Sequence, residues 1–196
     1  MEIEATGEAF GVVLGGGRAV SGAATAEQNA GASLVEAVRR GDRDAFGPLY
    51  KLYSPLVHGI LLARVPAGEV DDLVQDVFLT AYRKLETLRD TNAFGGWIAM
   101  IARNRAMDFH RSRQETEDLS DDIPQSTFAE EDAEAARALA AIRGLPEAYR
   151  ETLILRLVEG MTGPEIAEKT GLTPASVRVN LHRGMKLLRE KLGIEE

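Results

Sequence analysis

The strongest constraint on the fold is a pair of explicit helix boundaries in the last third of the sequence. Thr162 and Glu165 fit a capping box, in which each side chain accepts a hydrogen bond from an otherwise unpaired backbone amide. Gly171 ends this short helix, and Thr173, followed by proline, starts a longer helix that can run to Leu192. A short helix, a glycine turn and a long helix form the layout of a helix-turn-helix.

The longer helix has one apolar face and one cationic face. On a wheel of about 100° per residue, the apolar face contains Val177, Leu181, Gly184, Leu188 and Leu192. We expect this face to pack on Ile166, Ala167 and Leu172. The opposite face contains Ser176, Arg178, Val179, His182, Arg183, Lys186 and Arg189. A solvated cationic face is the alternative interpretation, but its coincidence with two capped helices and a glycine turn favours DNA binding.

The acidic charge of the chain is concentrated in one stretch. Residues 112–134 hold nine acidic side chains against Arg113, so this stretch carries the whole net charge of -8. The rest of the chain is neutral on average, which leaves room for basic faces that bind phosphates. The same stretch contains Pro124 and few apolar residues, which predicts a flexible acidic linker over residues 114–134.

Helical periodicity on both sides of this linker predicts an all-α protein with two small helical domains, the C-terminal one a helix-turn-helix. We expect the domains at residues 31–113 and 135–196, and a flexible Gly/Ala-rich extension at residues 1–30. The acidic start and the short apolar run after it predict neither export nor membrane insertion. The chain lacks cysteine, which fits a cytoplasmic protein.

The sequence offers no catalytic or metal-binding pattern. The three histidines, His58, His110 and His182, are scattered without the spacing of metal ligands. The triple glycine at residues 15–17 is not followed by the Lys-Ser/Thr of a phosphate-binding loop. We therefore expect no cofactor, no metal and no enzymatic activity.

Residues 172–184, together with Lys-Leu-Leu-Arg at 186–189, resemble region 4 of the extracytoplasmic-function (ECF) sigma factors of the sigma-70 family. Leu145-Pro146-Glu147 is similar to the start of the preceding helix in that region. The resemblance implies that this domain reads the minus-thirty-five promoter element. It also implies Arg178 and Arg183 as the main contacts, with Ser176 near the helix start and Val179, His182 and Lys186 beside them.

A second resemblance covers residues 71–78, Asp-Asp-Leu-Val-Gln-Asp-Val-Phe, followed by Ala81-Tyr82. This segment looks like region 2.2, which docks on the clamp helices of the largest polymerase subunit. We expect Leu73, Val77 and Tyr82 to face the domain core. The polymerase contacts implied by the resemblance are Asp71, Asp72, Gln75, Asp76 and Phe78. An ordinary solvated acidic face is the alternative.

A third resemblance covers residues 97–108, which look like regions 2.3 and 2.4. In the family, the loop before this segment, here 88–96, captures a base flipped from the minus-ten element, at an unstacking cost of about a few kcal/mol. Trp97 itself is expected in the core. The minus-ten contacts implied are Thr91, Asn92, Phe94, Arg103, Asn104 and Arg105, with phosphate-binding charge also from Arg111 and Arg113.

The three resemblances occur in the order of the family and predict a sigma factor that directs core RNA polymerase to promoters. The implied partners are the clamp helices and flap of the polymerase, promoter DNA and an anti-sigma factor. The acidic linker would pass near the RNA exit path. A helix-turn-helix regulator that works without polymerase is the alternative, although it leaves residues 71–108 without a role. A degenerate sigma-like binding module is a further alternative.

Overall fold

The computed structural model describes residues 21–117 and 130–194, and the regular elements in these ranges are helical. The predicted all-α class is confirmed. The N-terminal half contains α1 (Ser21–Arg39), α2 (Phe46–Leu62), α3 (Val70–Lys84) and α4 (Phe94–Glu117). The C-terminal half contains α5 (Glu130–Arg143), α6 (Glu147–Leu157), α7 (Gly163–Thr170) and α8 (Pro174–Leu192).

The core of the N-terminal half lies where α2, α3 and α4 contact one another. Leu56 and Ile60 from α2, Val77 from α3 and Ile98 from α4 belong to this core, and all four are fully buried. Leu56 and Ile60 are four residues apart in α2, which places them on one face of that helix. Burying a side chain of this size contributes about 1.5–3 kcal/mol, so this three-helix contact is the main source of stability in this half.

Local capping signals define the C-terminal half, as the sequence predicts. Thr162 accepts a hydrogen bond from the amide of Glu165, and the Glu165 carboxylate accepts one from the amide of Thr162 at 2.6 Å. Gly171 adopts the left-handed conformation at φ 77°, which favours glycine. The hydroxyl of Thr173 then accepts from the amide of Ser176 at 3.1 Å and starts α8. The predicted helix-turn-helix is therefore confirmed.

The predicted core face of α8 is largely confirmed. Val177 and Leu188 are 1% and 2% exposed, and both lie in the same core as Ile166 of α7. The prediction is wrong for Leu172, which is 36% exposed. Leu172 lies in the turn between the two helices, so its side chain is not part of the packed face of either.

Three predicted boundaries differ from the structure. Residues 21–30, predicted as part of a flexible extension, belong to α1, because this alanine-rich stretch favours helix. The linker predicted at 114–134 overlaps α4, which runs to Glu117, and α5, which starts at Glu130. The remaining predictions for the extension and the linker concern residues 1–20 and 118–129, which lie outside the described residues.

The two halves pack against each other, which the sequence patterns did not predict. Helix α6 lies on α2, and α7 lies on α4. A Cβ atom added at Gly95 would lie only 3.2 Å from the backbone oxygen of Lys169, so glycine permits this close approach. Arg143 donates hydrogen bonds to the carbonyl oxygens of Leu62 and Val65, at 3.0 and 2.7 Å. The buried apolar residues of both halves consequently form one continuous core.

The substitution Thr162→Ala tests the capping box. It removes the hydrogen bond to the first turn of α7 and should lower the free energy of unfolding by roughly 0.5–2 kcal/mol in urea titrations near neutral pH. Thr162→Ser keeps the hydroxyl and should stay close to wild type. An Ala variant as stable as the Ser variant would contradict this role.

The same capping box should respond to acid. Partial burial would raise the pKa of Glu165, but the hydrogen bonds from Thr162 outweigh it and lower that pKa below 4.5. The stability that the Glu165 carboxylate contributes is therefore present above about pH 4.5 and lost as the pH falls through the lowered pKa. The difference between Thr162→Ala and wild type should shrink over that range.

Candidate promoter and polymerase interfaces

One side of α8 presents a set of exposed residues, which we call the reading face. It consists of Ser176, Arg178, Val179, His182, Arg183 and Lys186. The Ser176 hydroxyl lies 2.8 Å from that of Thr173 and so belongs to the helix cap. Among the described residues, the ion pairs all lie elsewhere, so Arg178, Arg183 and Lys186 keep their charges available to solvent. This arrangement suits binding to a polyanion.

One side of α3 presents a second exposed set, which we call the docking face. It consists of Asp71, Asp72, Gln75, Leu79 and Tyr82. Leu79 and Tyr82 are 46% and 41% exposed, so an apolar patch adjoins the acidic residues. The prediction that Tyr82 faces the core is wrong, because its ring lies at the rim, with its centroid 5.0 Å from that of Phe46.

Two of the predicted polymerase contacts have other neighbours in the structure. Phe78 is 2% exposed, and its ring centroid lies 4.5 Å from that of Tyr50. It is a core residue that supports the docking face from below, so the prediction of a direct contact through its ring is wrong. Asp76 is half-buried and lies 2.5 Å from Nη2 of Arg105, which ties α3 to α4.

The loop between α3 and α4 covers residues 85–93, three residues before the predicted range of 88–96, and side-chain hydrogen bonds fix its conformation. The Asp90 carboxylate accepts hydrogen bonds from the backbone and side-chain amides of Asn92, at 3.0 and 3.1 Å. Arg39 of α1 donates to the carbonyl oxygens of Leu85, at 2.9 Å, and of Leu88. This role of Arg39 was not predicted, because a cation at a helix end carries no signal of such a distant partner.

Two residues predicted for base capture, Thr91 and Asn92, lie in this loop, half-buried and exposed respectively. Phe94 is different, because it is the first residue of α4 and is fully buried, with its ring centroid 4.8 Å from that of Tyr53. The prediction of Phe94 as a base contact is therefore wrong. Trp97 is half-buried against the core, as expected.

Helix α4 divides its polar residues between solvent and internal ion pairs. Asn104 is exposed, and Met100 and Met107 on either side of it are 58% and 60% exposed. These methionines were not predicted as surface residues, although their spacing of four and three residues from Asn104 places all three on one face. Arg105 is paired with Asp76, and Arg103 is paired with a glutamate of the other half.

That glutamate is Glu151 of α6, whose side chain is 8% exposed. It lies 2.8 Å from Nη2 of Arg64 and 2.6 Å from Nη2 of Arg103. Burial would raise the pKa of Glu151, but the hydrogen bonds and charges of Arg103 and Arg64 outweigh burial and hold the pKa below its usual range. The carboxylate is therefore ionised, and it links α6 to both α2 and α4.

A second contact between the halves joins His58 of α2 to Glu159, just beyond α6. Nδ1 of His58 lies 2.6 Å from Oε1 of Glu159. The hydrogen bond to Glu159 outweighs burial and raises the pKa of His58 above 6.5. This contact is consequently stronger when the imidazole is protonated.

The described residues contain no group of three or more histidine and carboxylate side chains arranged to hold a metal ion. Within the same residues, helices long and apolar enough to cross a membrane are absent.

Comparison with known proteins identifies the family. The model for sigma-70 region 2 matches residues 49–116, and the model for sigma-70 region 4 matches residues 135–188. The chain is 31% identical over 166 residues to RNA polymerase sigma factor CarQ of Myxococcus xanthus, covering 81% of this chain and 95% of CarQ. The chain belongs to the ECF sigma factors.

Other comparisons agree with this assignment. This sigma factor is 30% identical over 176 residues to the ECF RNA polymerase sigma-E factor of Escherichia coli K12, covering 81% and 92% of the two chains. A solved structure of CnrH in complex with the cytosolic domain of CnrY matches with a TM-score of 0.62 and 25% identity, covering 85% of this chain and 99% of CnrH. The fold also matches RpoE of Bartonella quintana, solved with the anti-sigma factor NepR, with a TM-score of 0.54 and 21% identity over 77% and 98% of the chains.

The predicted function is thereby confirmed. This sigma factor directs RNA polymerase to promoters, and sigma factors are initiation factors of transcription. A helix-turn-helix regulator that works without polymerase is not favoured. Region 2 contains the docking face and α4, and region 4 contains the reading face.

An NMR titration tests the link between His58 and Glu159. The midpoint for the His58 ring should lie above 6.5, and Glu159→Gln should move it back towards that value. Because the pKa is raised, the contact stabilises the packed halves fully below about pH 6.5 and loses this effect as the pH rises through the raised value. A midpoint that does not respond to Glu159→Gln would contradict the assignment.

Proposed function

We propose that this sigma factor binds core polymerase through the docking face of α3 and reads promoter DNA through the reading face of α8 and through α4 with its preceding loop. The observation that carries the proposal is the exposure of these surfaces on three different helices. The three surfaces consist of different side chains, so binding at one does not use the residues of another.

The chemistry of the docking face suits a partner helix with basic and apolar residues. Asp71 and Asp72 lie in the first turn of α3, where the helix dipole favours negative charge. Leu79 and Tyr82 add an apolar and aromatic surface of the kind that provides affinity at the centre of protein interfaces. The acidic residues would set orientation and association rate. We assign this face to the clamp helices of the largest polymerase subunit, and place region 4 near the flap.

The reading face suits the major groove of the minus-thirty-five element. A major groove about 12 Å wide admits an α-helix, and an arginine can bind guanine through two hydrogen bonds, which is worth about 1–3 kcal/mol of discrimination. Arg178 and Arg183 are the residues we assign to this role. His182 and Lys186 would hold the phosphate backbone beside them.

The loop before α4 and the exposed face of α4 suit a melted minus-ten strand. Thr91 and Asn92 provide hydrogen-bonding groups for the edge of an extruded base. Asn104 lies on α4 with Met100 and Met107, whose exposed side chains can contact the faces of unstacked bases. Asn104 would form hydrogen bonds to the bases of the melted strand, and Met100 and Met107 would pack against the faces of these bases.

Partners and location follow from the same proposal. CnrH was solved with the cytosolic domain of CnrY and Bartonella RpoE with the anti-sigma factor NepR, so we propose an anti-sigma factor for this chain as well. We place the protein in the cytoplasm with the polymerase. We also propose that it has no enzymatic activity of its own, because the polymerase forms the phosphodiester bonds.

Run-off transcription tests the function. Purified core polymerase is supplied with a library of promoter fragments, with and without the full chain. Specific transcripts that require the protein support the proposal and reveal both promoter elements. Specific DNA binding that needs no polymerase, without transcripts, would instead indicate an operator-binding regulator.

Variants separate the docking face from the reading face. Leu79→Asp should weaken binding to core polymerase, because it places a charge in the apolar patch. Arg178→Ala combined with Arg183→Ala should leave core binding unchanged, reduce specific transcription, and relax the sequence preference at the minus-thirty-five element, since each lost guanine contact is worth about 1–3 kcal/mol of discrimination. Arg40→Ala, an exposed arginine that follows α1, is the control. Equal effects of the control and the double variant on transcription would contradict the role of α8.

A further inference from the structure

Two arginines from region 2 converge on a single carboxylate from region 4. Nη2 and Nε of Arg103 lie 2.6 and 3.1 Å from the two oxygens of Glu151, which is a bidentate contact. Nη2 of Arg64, which follows α2, lies 2.8 Å from the same carboxylate and 3.1 Å from that of Glu147. Because Arg64 is 13% exposed, it forms the inner wall of this site.

The two guanidinium groups bring more positive charge than the buried carboxylate neutralises. Glu147, the other acidic neighbour, is 69% exposed and so contributes weakly. Removing Glu151 would leave Arg64 and Arg103 facing each other without a buried counter-ion, which is strongly unfavourable unless another anion enters. The planar fork of arginine matches a phosphate as well as a carboxylate.

The packed arrangement is incompatible with simultaneous reading of two promoter elements. Helix α7 contacts α4, and α8 contacts α7, so α8 lies within roughly 20 Å of α4, or two interhelical distances. The minus-thirty-five and minus-ten elements are about 25 base pairs apart, or roughly 85 Å of DNA at about 3.4 Å per pair. If the proposed function holds, the halves must separate, and Glu151 must leave its arginines.

We propose that Arg64 and Arg103 form an anion-binding site, which Glu151 fills in the free protein and a phosphate of promoter DNA fills once the halves separate. The inference rests on the proposed function. It adds Arg64 to the residues that bind DNA, and it adds the contact of Glu151 with Arg64 and Arg103 as the one that holds the halves together. Glu151 acts as an internal substitute for the phosphate, so the closed protein binds DNA weakly through region 2. When the phosphate replaces the Glu151 carboxylate, its contacts with Arg64 and Arg103 offset the free energy lost when the buried ion pair breaks.

The close approach of α2 to α6 at Gly59 allows the halves to be separated by a substitution other than that of Glu151. A Cβ atom added at Gly59 of α2 would lie 2.7 Å from Cδ2 of Leu155 and 3.0 Å from Cγ of Glu159, so a larger side chain there crowds the contact between α2 and the end of α6. Gly47, also in α2, has no heavy atom within 4 Å of an added Cβ and is a matched control. Gly59→Val should therefore weaken the packing between the halves while Glu151 keeps its charge, and the dye distance measures whether they open.

The test uses the full chain and measures separation and DNA binding independently. The chain has no cysteine, so Lys51→Cys and Glu190→Cys introduce two labelling sites, one in each half, for energy transfer between dyes. Glu151→Gln, which keeps the shape and removes the charge, should increase the distance between the dyes. Glu147→Gln, which removes the exposed neighbour, should leave it nearly unchanged.

DNA binding is followed by fluorescence anisotropy with a labelled DNA duplex and no polymerase. Glu151→Gln and Gly59→Val should each bind several-fold more tightly than wild type, with a salt slope steeper by about one unit for one additional phosphate bound. Gly47→Val should match wild type. Adding Arg103→Gln or Arg64→Gln to Gly59→Val should remove the gain while the halves stay apart.

Two results would overturn the inference. If Glu151→Gln leaves the dyes close together, Glu151 does not lock the halves. If Gly59→Val separates them without a gain in DNA binding or salt slope, the arginines do not bind phosphate. Run-off transcription in parallel distinguishes these failures from failure of the proposed function, because a sigma factor still yields specific transcripts with saturating core polymerase even if Glu151 has no locking role.

Discussion

Burial of an ionised carboxylate is unfavourable unless charged or hydrogen-bonding partners compensate it, and Glu151 has two arginine partners where the two halves meet. Its burial fixes the place of α6 against α2 and α4, since both arginines must reach it at hydrogen-bonding distance. The apolar residues that follow in α6, Leu153 to Leu155, are fully buried in that position. The contact between the halves therefore combines a buried ion pair with apolar packing.

Features that depend on neighbouring residues could be predicted from the sequence. The caps at Thr162 and Thr173 and the left-handed Gly171 are local, because each hydrogen bond joins residues three or four positions apart. The reading face of α8 was also predictable, since helical periodicity alone separates Arg178 and Arg183 from Val177 and Leu188. The family could also be inferred, because each motif that identifies it is a short contiguous segment of the sequence.

Features that depend on distant contacts could not be predicted. Phe78 and Phe94 were assigned to binding surfaces because the family motifs carry residue types and not orientations, whereas the structure buries both rings. The partners of Glu151 lie 87 and 48 positions away in the sequence, and a single glutamate on a helix has no local sign of burial. The start of α1 was missed because alanine and glycine together resemble a flexible segment in composition.

The contact of Arg39 with the loop before α4 has a consequence for the entropy of DNA capture. The carbonyl groups of Leu85 and Leu88 already have a charged donor in the free protein, and Asp90 orders the next turn. Fixing the backbone of one residue costs about 1–2 kcal/mol of conformational entropy, and these hydrogen bonds already fix the loop backbone in the folded free protein. If the loop captures a base, as we propose, less of the binding energy would be needed to order the backbone around it. On the proposed function, Arg39 belongs to a helix that does not itself contact DNA, yet its hydrogen bonds to the loop would leave more of the binding energy for melting the promoter.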